Sequence, residues 1–230
     1  MRLALLFVLA ACTAPARAER APTGPVLLEV FTSQGCSSCP PADRVVSDIR
    51  ADASLSTKIL PLAFHVDYWD DLGWKDPLSS AAWTARQQTY ASRLGGGVYT
   101  PEAVVGGVVQ TVGSNRDRIV DLAARADAIS APCLAATEED GAIVVAASCP
   151  APAGADFWAA VVEDGIVTRV ARGENAGREL RSDAVVRALV RVDARVRIPR
   201  QKGWGQVGVV GFAQEHEHMR VLSAARLLGR

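Results

Sequence analysis

The stretch Val26–Asp43, VLLEVFTSQGCSSCPPAD, constrains this chain more tightly than any other. Val26, Leu27, Leu28, Val30 and Phe31 form an apolar run suited to a strand buried on both faces. A short polar turn follows, then Cys36-Ser37-Ser38-Cys39, then Pro40-Pro41. Proline is tolerated in the first turn of a helix, where backbone N–H groups have no intrahelical acceptor. The two cysteines are therefore expected where a strand ends and a helix begins. Unpaired N–H groups and the positive end of the helix dipole gather there, and both favour a thiolate. A thiolate is the reacting species in disulfide exchange. With two residues between them, the sulfurs close a small ring that opens without unfolding a domain. Two other readings of the pair stand beside the redox one: a static disulfide, and half of a zinc site. Structural zinc takes four ligands, and no second CxxC or His-x-x-x-His is present; Cys133 and Cys149 lie too far apart in sequence to act as one.

The N-terminus sets the compartment. In MRLALLFVLAACTAPARA, Arg2 supplies the positive end, Leu3–Ala11 the apolar core and Ala16-Arg17-Ala18 a cleavage site of the A-x-A kind. The apolar core is too short to span a bilayer. Residues 1–18 therefore read as a signal peptide. A competing reading takes Leu9-Ala10-Ala11-Cys12 as a lipobox, with a lipid anchor on Cys12. Either way the protein leaves the cytoplasm, for the periplasm or the exterior. In an oxidising compartment the remaining Cys36, Cys39, Cys133 and Cys149 form an even set. Their simplest pairing is Cys36–Cys39 and Cys133–Cys149, the second as a structural clamp or, in the alternative reading, a second redox pair relaying electrons to the first. The 25 basic and 25 acidic side chains balance and no long basic tract exists, which argues against nucleic acid or an anionic membrane surface as partner. No GxGxxG opens a helix after a strand, so no cofactor is expected.

Along the first half, Glu29 lies inside the first strand. Two readings are open: a buried proton acceptor for the second thiol, or a carboxylate facing solvent or capping a helix. A helix is expected from near Cys39 to Arg50, with Val45, Val46 and Ile49 on one side. Lys58–Val66 reads as a second buried strand, with Pro61 marking a kink or an edge. The aromatic and acidic segment HVDYWDDLGWKDP, residues 65–77, follows that strand, where α/β folds build their sites. His65 and Asp67 share a face on an extended chain. His65 is a candidate proton relay or metal ligand beside the cysteines, or else a packed, hydrogen-bonded histidine. Trp69 and Trp74 either wall a substrate groove or cap the core. Ser79–Leu94 reads as a helix capped by Ser79 or Ser80 and stopped at Gly95-Gly96-Gly97. Thr100-Pro101 then leads into the strand ending at Gly106-Gly107. A cis bond there would turn a backbone edge toward the disulfide, where a substrate chain can pair; the plain alternative is a trans proline at a strand start. Ser114–Asp117 opens a helix to about Ala128, with Ile119, Leu122 and Ala123 inward.

Strand, CxxC at a helix start, and Thr-Pro before VVGG together resemble the thioredoxin fold and its cis-proline loop. More closely, LLEVFTSQGCSSCPPAD, HVDYWDDLGWKDP, VYTPEAVVGG and RGENAG resemble a secreted bacterial thioredoxin-like family catalogued as domain of unknown function 1223. The resemblance spans nearly the whole mature chain. It implies a thioredoxin-like domain over residues 19–131. Within it Cys36 is the exposed attacking cysteine, Cys39 the resolving one and Pro101 the cis-proline. The chain departs from thioredoxin at Ser37-Ser38 and at Gly35, where thioredoxin has a tryptophan.

After Pro132 the pattern turns to β. Ala142–Ser148, Asp156–Glu163, Ile166–Ala171, Ala184–Val192, Val207–Ala213 and Met219–Ala225 are the expected strands, with Asp164-Gly165 as a two-residue hairpin signal, although Arg187, Arg191 and Arg195 fall at helical spacing and leave a helix start over Ala184–Val196 as the alternative. Residues 132–230 read as a mainly antiparallel β domain or extension packed beside the first half. His216-Glu217-His218 reads as a solvated turn rather than a metal site, and no metal is assigned. Arg172, Glu174 and Asn175 read as a loop meeting the first half, with no chemistry attached.

The expected fold class is thus α/β, a thioredoxin-like domain followed by a mainly antiparallel β region. The leading expectation is a periplasmic or secreted thiol–disulfide oxidoreductase acting on protein thiols or disulfides. Its catalytic candidates are Cys36, Cys39, Pro101, His65 and Glu29, with Thr100, Trp69 and Trp74 against substrate. A copper-handling protein using both thiolates and His65 is the second reading, and a binding module with a static disulfide the third.

Overall fold

The computed structural model describes residues 24–127 and 129–229; the expected signal peptide, with Cys12, lies outside them. The first half runs β1 (Val26–Thr32), α1 (Pro40–Ala51), β2 (Ile59–His65), α2 (Ala81–Leu94), β3 (Glu102–Val105), β4 (Val109–Val112) and α3 (Arg116–Arg125). All seven residues of β1 are buried, as an apolar run without polar alternation requires. Its faces part by alternation. Val26, Leu28 and Val30 pack with Val45, Val46 and Ile49 of α1 and Ile119 and Ala123 of α3. Leu27 and Phe31 pack with Leu62, Phe64 and Tyr90 of β2 and α2. Helices thus cover both faces.

Local chemistry sets the helix ends. Pro40 and Pro41 open α1, and Cys39 is its N-cap residue, whose carbonyl accepts from the N–H groups of Ala42 and Asp43. Ser80 Oγ accepts from the Ala82 N–H at the start of α2, and Gly95 ends that helix in the left-handed region at φ 77°. Asn115 caps α3 through the Arg118 N–H.

The second half supplies β5 (Leu134–Glu139), β6 (Ala142–Ala147), β7 (Ala155–Glu163), β8 (Ile166–Arg169), β9 (Glu179–Ser182), β10 (Val185–Arg191), β11 (Arg195–Pro199), β12 (Val207–Glu215) and β13 (Val221–Leu228). Among the described residues an eight-stranded sheet runs β13-β12-β7-β10-β2-β1-β3-β4. The chain is therefore mixed α/β with a large, mostly antiparallel sheet. Of the two readings of residues 132–230, a separate β domain or an extension, the topology is that of an extension: four of its strands continue the same sheet. The junction is β10 against β2, parallel, at Val185 opposite Ala63. One apolar cluster crosses it, from Leu27 and Phe31 through Val162 and Val186 to Val210 and Phe212. On the far side, β11-β6-β5 forms a three-stranded sheet. Its Ile143, Val145 and Ile198 pack with Phe157, Val161 and Val209 of β7 and β12.

Two local expectations change. Pro61 does not mark an edge strand, since β2 lies between β1 and β10. The Ala63 N–H donates to Ala184 O across that junction, and Pro61, two residues away, has its nitrogen on the same side. The sole residue pairing there is at Ala63, so the missing N–H costs no ladder bond. Asp164-Gly165 does not close a hairpin either, because β7 pairs with β10 and β12 while β8 pairs with β9. Asp164 instead forms an ion pair with Arg50 and accepts from the Ala184 N–H at 2.8 Å. The hairpin signal belongs to Asp140-Gly141 between β5 and β6, with φ of 46° and 70°.

Candidate functional site

The strand β1 and helix α1 deliver Cys36 and Cys39 to the turn between them, with sulfurs at disulfide distance and Cα atoms 5.4 Å apart. Both cysteines are 0% exposed. The expectation of an exposed Cys36 is thus corrected; three groups crowd it. Ser38 Oγ lies 3.2 Å from Cys36 Sγ. The Thr100 carbonyl oxygen is 4.0 Å from the same sulfur. Asn175 Nδ2 donates to the carbonyl oxygens of Gln34 and Cys36, at 2.9 Å each. Its neighbour Glu174 accepts from the Ser37 N–H at 2.9 Å through Oε2. Ser37 and Ser38 stay exposed.

Asn175 and Glu174 belong to the loop 172–177, which joins β8 to β9. The ribbon of these two strands reaches back to the cysteine turn, where Gln34 Nε2 donates to Thr168 Oγ1 at 3.0 Å. Gly173 makes the contact possible. Its φ is 76°, and a Cβ there would stand 3.1 Å from the Cβ of Trp74.

Behind the cysteines lies a buried polar cluster. His65 ends β2 with its side chain fully buried, and its Nδ1 is 2.7 Å from Asp76 Oδ2. The same Asp76 oxygen accepts from the Gln34 N–H at 2.8 Å, which ties the histidine to the cysteine turn. Asp43 lies one turn beyond Cys39 on α1, and Thr32 Oγ1 donates to its Oδ1 at 2.8 Å. Burial pushes the Asp43 carboxyl up to about 6, against the opposing pull of His65 and Thr32. Burial opposes charge on His65, but the Asp76 carboxylate and then Asp43 outweigh it and raise its pKa. Asp76 is likewise opposed by burial and held below the usual range by His65 and backbone N–H groups. His65 Nε2 has no hydrogen-bond partner among the described residues.

Other expected site residues are distributed differently. Asp67 does not join His65; Thr84 Oγ1 donates to it at 2.6 Å. Glu29 is 1% exposed, so it neither faces solvent nor caps a helix, yet it is not brought to the disulfide. It points to the α2 face of β1, whereas α1 covers the other face. There Arg86 forms a forked ion pair with it, one arm at 2.9 Å, and the Tyr90 hydroxyl donates to it. The Thr100–Pro101 bond is cis. Trp69 Nε1 donates to Thr100 Oγ1 at 2.8 Å, and Trp74 Nε1 to Gln34 Oε1 at 3.3 Å. Both tryptophans are half-buried, and their hydrogen bonds brace the loops around the disulfide. Tyr68 and Leu72 beside them are exposed. Glu102, next to Pro101, is buried; burial pushes its carboxyl up to about 7 although Gln87 Nε2 donates to it at 2.7 Å.

The residues that sequence reasoning passed over are Asp43, Asp76 and Glu102; Glu174 and Asn175 were read as a loop meeting the first half, as they do, but with no chemistry attached. Asp43 and Asp76 had a signal: each sits inside a segment singled out for other residues. Glu174 and Asn175 had only the loop motif around them. Cys133 and Cys149 are at disulfide distance, Cα atoms 5.7 Å apart, across the open end of the β5–β6 hairpin. His216 and His218 are exposed in the turn between β12 and β13, His216 Nε2 lying 3.1 Å from Asp156. Among the described residues no three His, Cys, Asp or Glu side chains are grouped to hold a metal ion. No helix among them is long and apolar enough to cross a membrane.

A family model described as protein of unknown function (DUF1223) matches residues 27–213. No curated protein matches the chain. Among solved structures, a protein of Agrobacterium tumefaciens solved by a structural genomics consortium is similar at 26% identity and a TM-score of 0.69, over 93% of this chain and 97% of that one. HBP35 of Porphyromonas gingivalis is similar in fold, at 12% identity and a TM-score of 0.60, over 90% of this chain and 75% of that one.

Proposed function

The chain belongs to the DUF1223 family of proteins of unknown function, and on that premise we propose that it is a secreted or periplasmic thiol–disulfide oxidoreductase whose first half is thioredoxin-like. The observation that carries this reading is the position of the pair. Cys39 is the N-cap residue of a twelve-residue helix, and Cys36 lies in the turn before it. The partial positive charge of a helix start lowers the cost of a thiolate. Ser38 Oγ, at 3.2 Å, is placed to donate to Cys36 sulfur when that sulfur is charged.

The exchange runs in balanced steps. Cys36 is 0% exposed, so the cysteine turn must open before a partner thiolate attacks its sulfur. The Cys36–Cys39 bond breaks and a mixed disulfide forms through Cys36. Cys39 leaves as a thiolate and takes up a proton. Asp43, four residues along the same helix and buried, with its carboxyl pushed up to about 6, is the candidate to exchange that proton, a fraction of it being protonated at neutral pH. A second partner thiolate then attacks the partner sulfur of the mixed disulfide. Cys36 leaves, the partner is oxidised by two electrons and the pair is reduced by two. In this reading Asp43, rather than Glu29, is the candidate for the proton role that was one of the two readings of Glu29. Thr100, against Cys36, and the partly exposed Trp69 and Trp74 line the approach for a protein partner.

The test equilibrates the mature protein with glutathione buffers and counts free thiols by alkylation. The Cys36–Cys39 pair is expected to titrate as a two-electron couple between roughly −270 and −120 mV, the span of dedicated redox proteins. Cys36→Ser and Cys39→Ser are each expected to lose exchange. A pair that stays oxidised until the protein is denatured, or exchange that survives both substitutions, overturns the reading.

A further inference from the structure

The carboxylate at the cysteine turn comes from the other half of the chain, at the tip of the β8–β9 ribbon. Resting on the exchange reading above, we propose that Glu174 tunes Cys36: it occupies the Ser37 N–H and holds a negative charge beside the attacking sulfur, disfavouring its thiolate and making the reduced pair a stronger reductant.

The backbone donors of this turn are few. The Cys39 N–H is committed to Cys36 O, and Pro40 and Pro41 have none. The Ser37 N–H follows Cys36 directly in the chain, and Glu174 Oε2 accepts it at 2.9 Å. Hydrogen bonds from Ser37 hold the Glu174 carboxyl below its ordinary range, so it is ionised at neutral pH. The loop that carries the charge is anchored. The neighbouring Asn175 is 0% exposed and donates to both Gln34 O and Cys36 O, and Arg178 Nη1 donates to Asn175 Oδ1 at 2.8 Å. That arginine is thereby engaged on Asn175.

The effect acts on one redox state. In the disulfide Cys36 sulfur is neutral and the carboxylate costs it little. After two-electron reduction Cys36 becomes a thiol in equilibrium with its thiolate, and the thiolate meets a like charge. Less thiolate means a less stable reduced form and a pair that gives up its electrons more readily.

The test is Glu174→Gln, which keeps an oxygen acceptor for Ser37 and removes the charge at an exposed position. Both proteins are reduced chemically with a phosphine, and the Cys36 thiol is titrated by the pH dependence of its alkylation. The variant is expected to titrate at lower pH. At a pH above that transition, its glutathione equilibrium is expected to shift toward the reduced pair on the order of threefold. The difference is expected to shrink in 1 M salt. An unchanged Cys36 titration overturns the proposal whatever the exchange assay gives. A lowered titration in a protein that does not exchange with glutathione supports it and sinks the enzymatic reading instead.

Discussion

Asn175 Nδ2 sits 2.9 Å from the carbonyl oxygen of Cys36, although 139 positions separate the two residues. The buried amide also serves Gln34 O, so one side chain from the second half satisfies two acceptors of the cysteine turn. Asn175→Ala leaves both without it. The expected cost is about 1–3 kcal/mol in urea unfolding. Because the turn is then less firmly covered, dithiothreitol is expected to reduce Cys36–Cys39 several-fold faster. Equal reduction rates in variant and parent would deny the loop its role as a cover.

Glu29 and Arg86 make a contrasting pair. Both side chains are buried and held by two hydrogen bonds, with Tyr90 and Gln214 completing the set. Arg86→Met strands a buried carboxylate. The expected penalty is about 3–5 kcal/mol, with the thiol exchange rate of the folded fraction unchanged. A variant that unfolds normally but exchanges slowly would return Glu29 to the reaction.

What the sequence made legible follows the range of the physics involved. The strand, cysteine turn and helix of residues 26–51 rest on an apolar run and two prolines, and α2 on Ser80 and Gly95, all of them local signals. Three strands of the second half escaped. Leu134–Glu139 buries a single residue, Glu179–Ser182 is only 4 residues long, and Arg195–Pro199 is short and charged. Two Asp-Gly pairs look alike as letters, and only at residues 140–141 do both take positive φ in a hairpin. The misreading of Glu29 has the same origin. Alternation along β1 settles that it opposes the α1 face only once the helices are assigned to their faces. Asp76 beside His65, and Asn175 over Cys36, depend on tertiary approach that no periodicity encodes.

The β5–β6 hairpin is clamped by Cys133 and Cys149, 16 positions apart. Replacing both by serine frees that loop in the unfolded chain. The expected loss is about 3 kcal/mol, read as a lower unfolding midpoint, with the exchange activity of Cys36 and Cys39 retained. Loss of exchange at full stability would make the second pair an electron relay instead of a clamp.

The cluster behind the cysteines gives the protein a defined pH response. Asp43 has a folded pKa of about 6, above its ordinary 3.8. A raised carboxyl penalises the folded state at pH above that value. The penalty disappears as pH falls through 6 and is gone near 4; two units correspond to about 3 kcal/mol. Glu102, pushed up to about 7, works in the same direction. His65 is raised too, and a raised histidine contributes stability that is full below about 6.5 and lost as pH rises through its folded value. Asp76 and Asp183 are lowered, so their contributions hold above 3.8 and vanish as pH falls below it. Together these place maximum stability between roughly pH 4 and 6. Melting temperature is therefore expected to be higher at pH 5 than at pH 8, and Asp43→Asn is expected to flatten that slope. A parent protein more stable at pH 8, or an unaltered slope in the variant, would remove Asp43 as the titrating group and with it the proton donor assigned to Cys39.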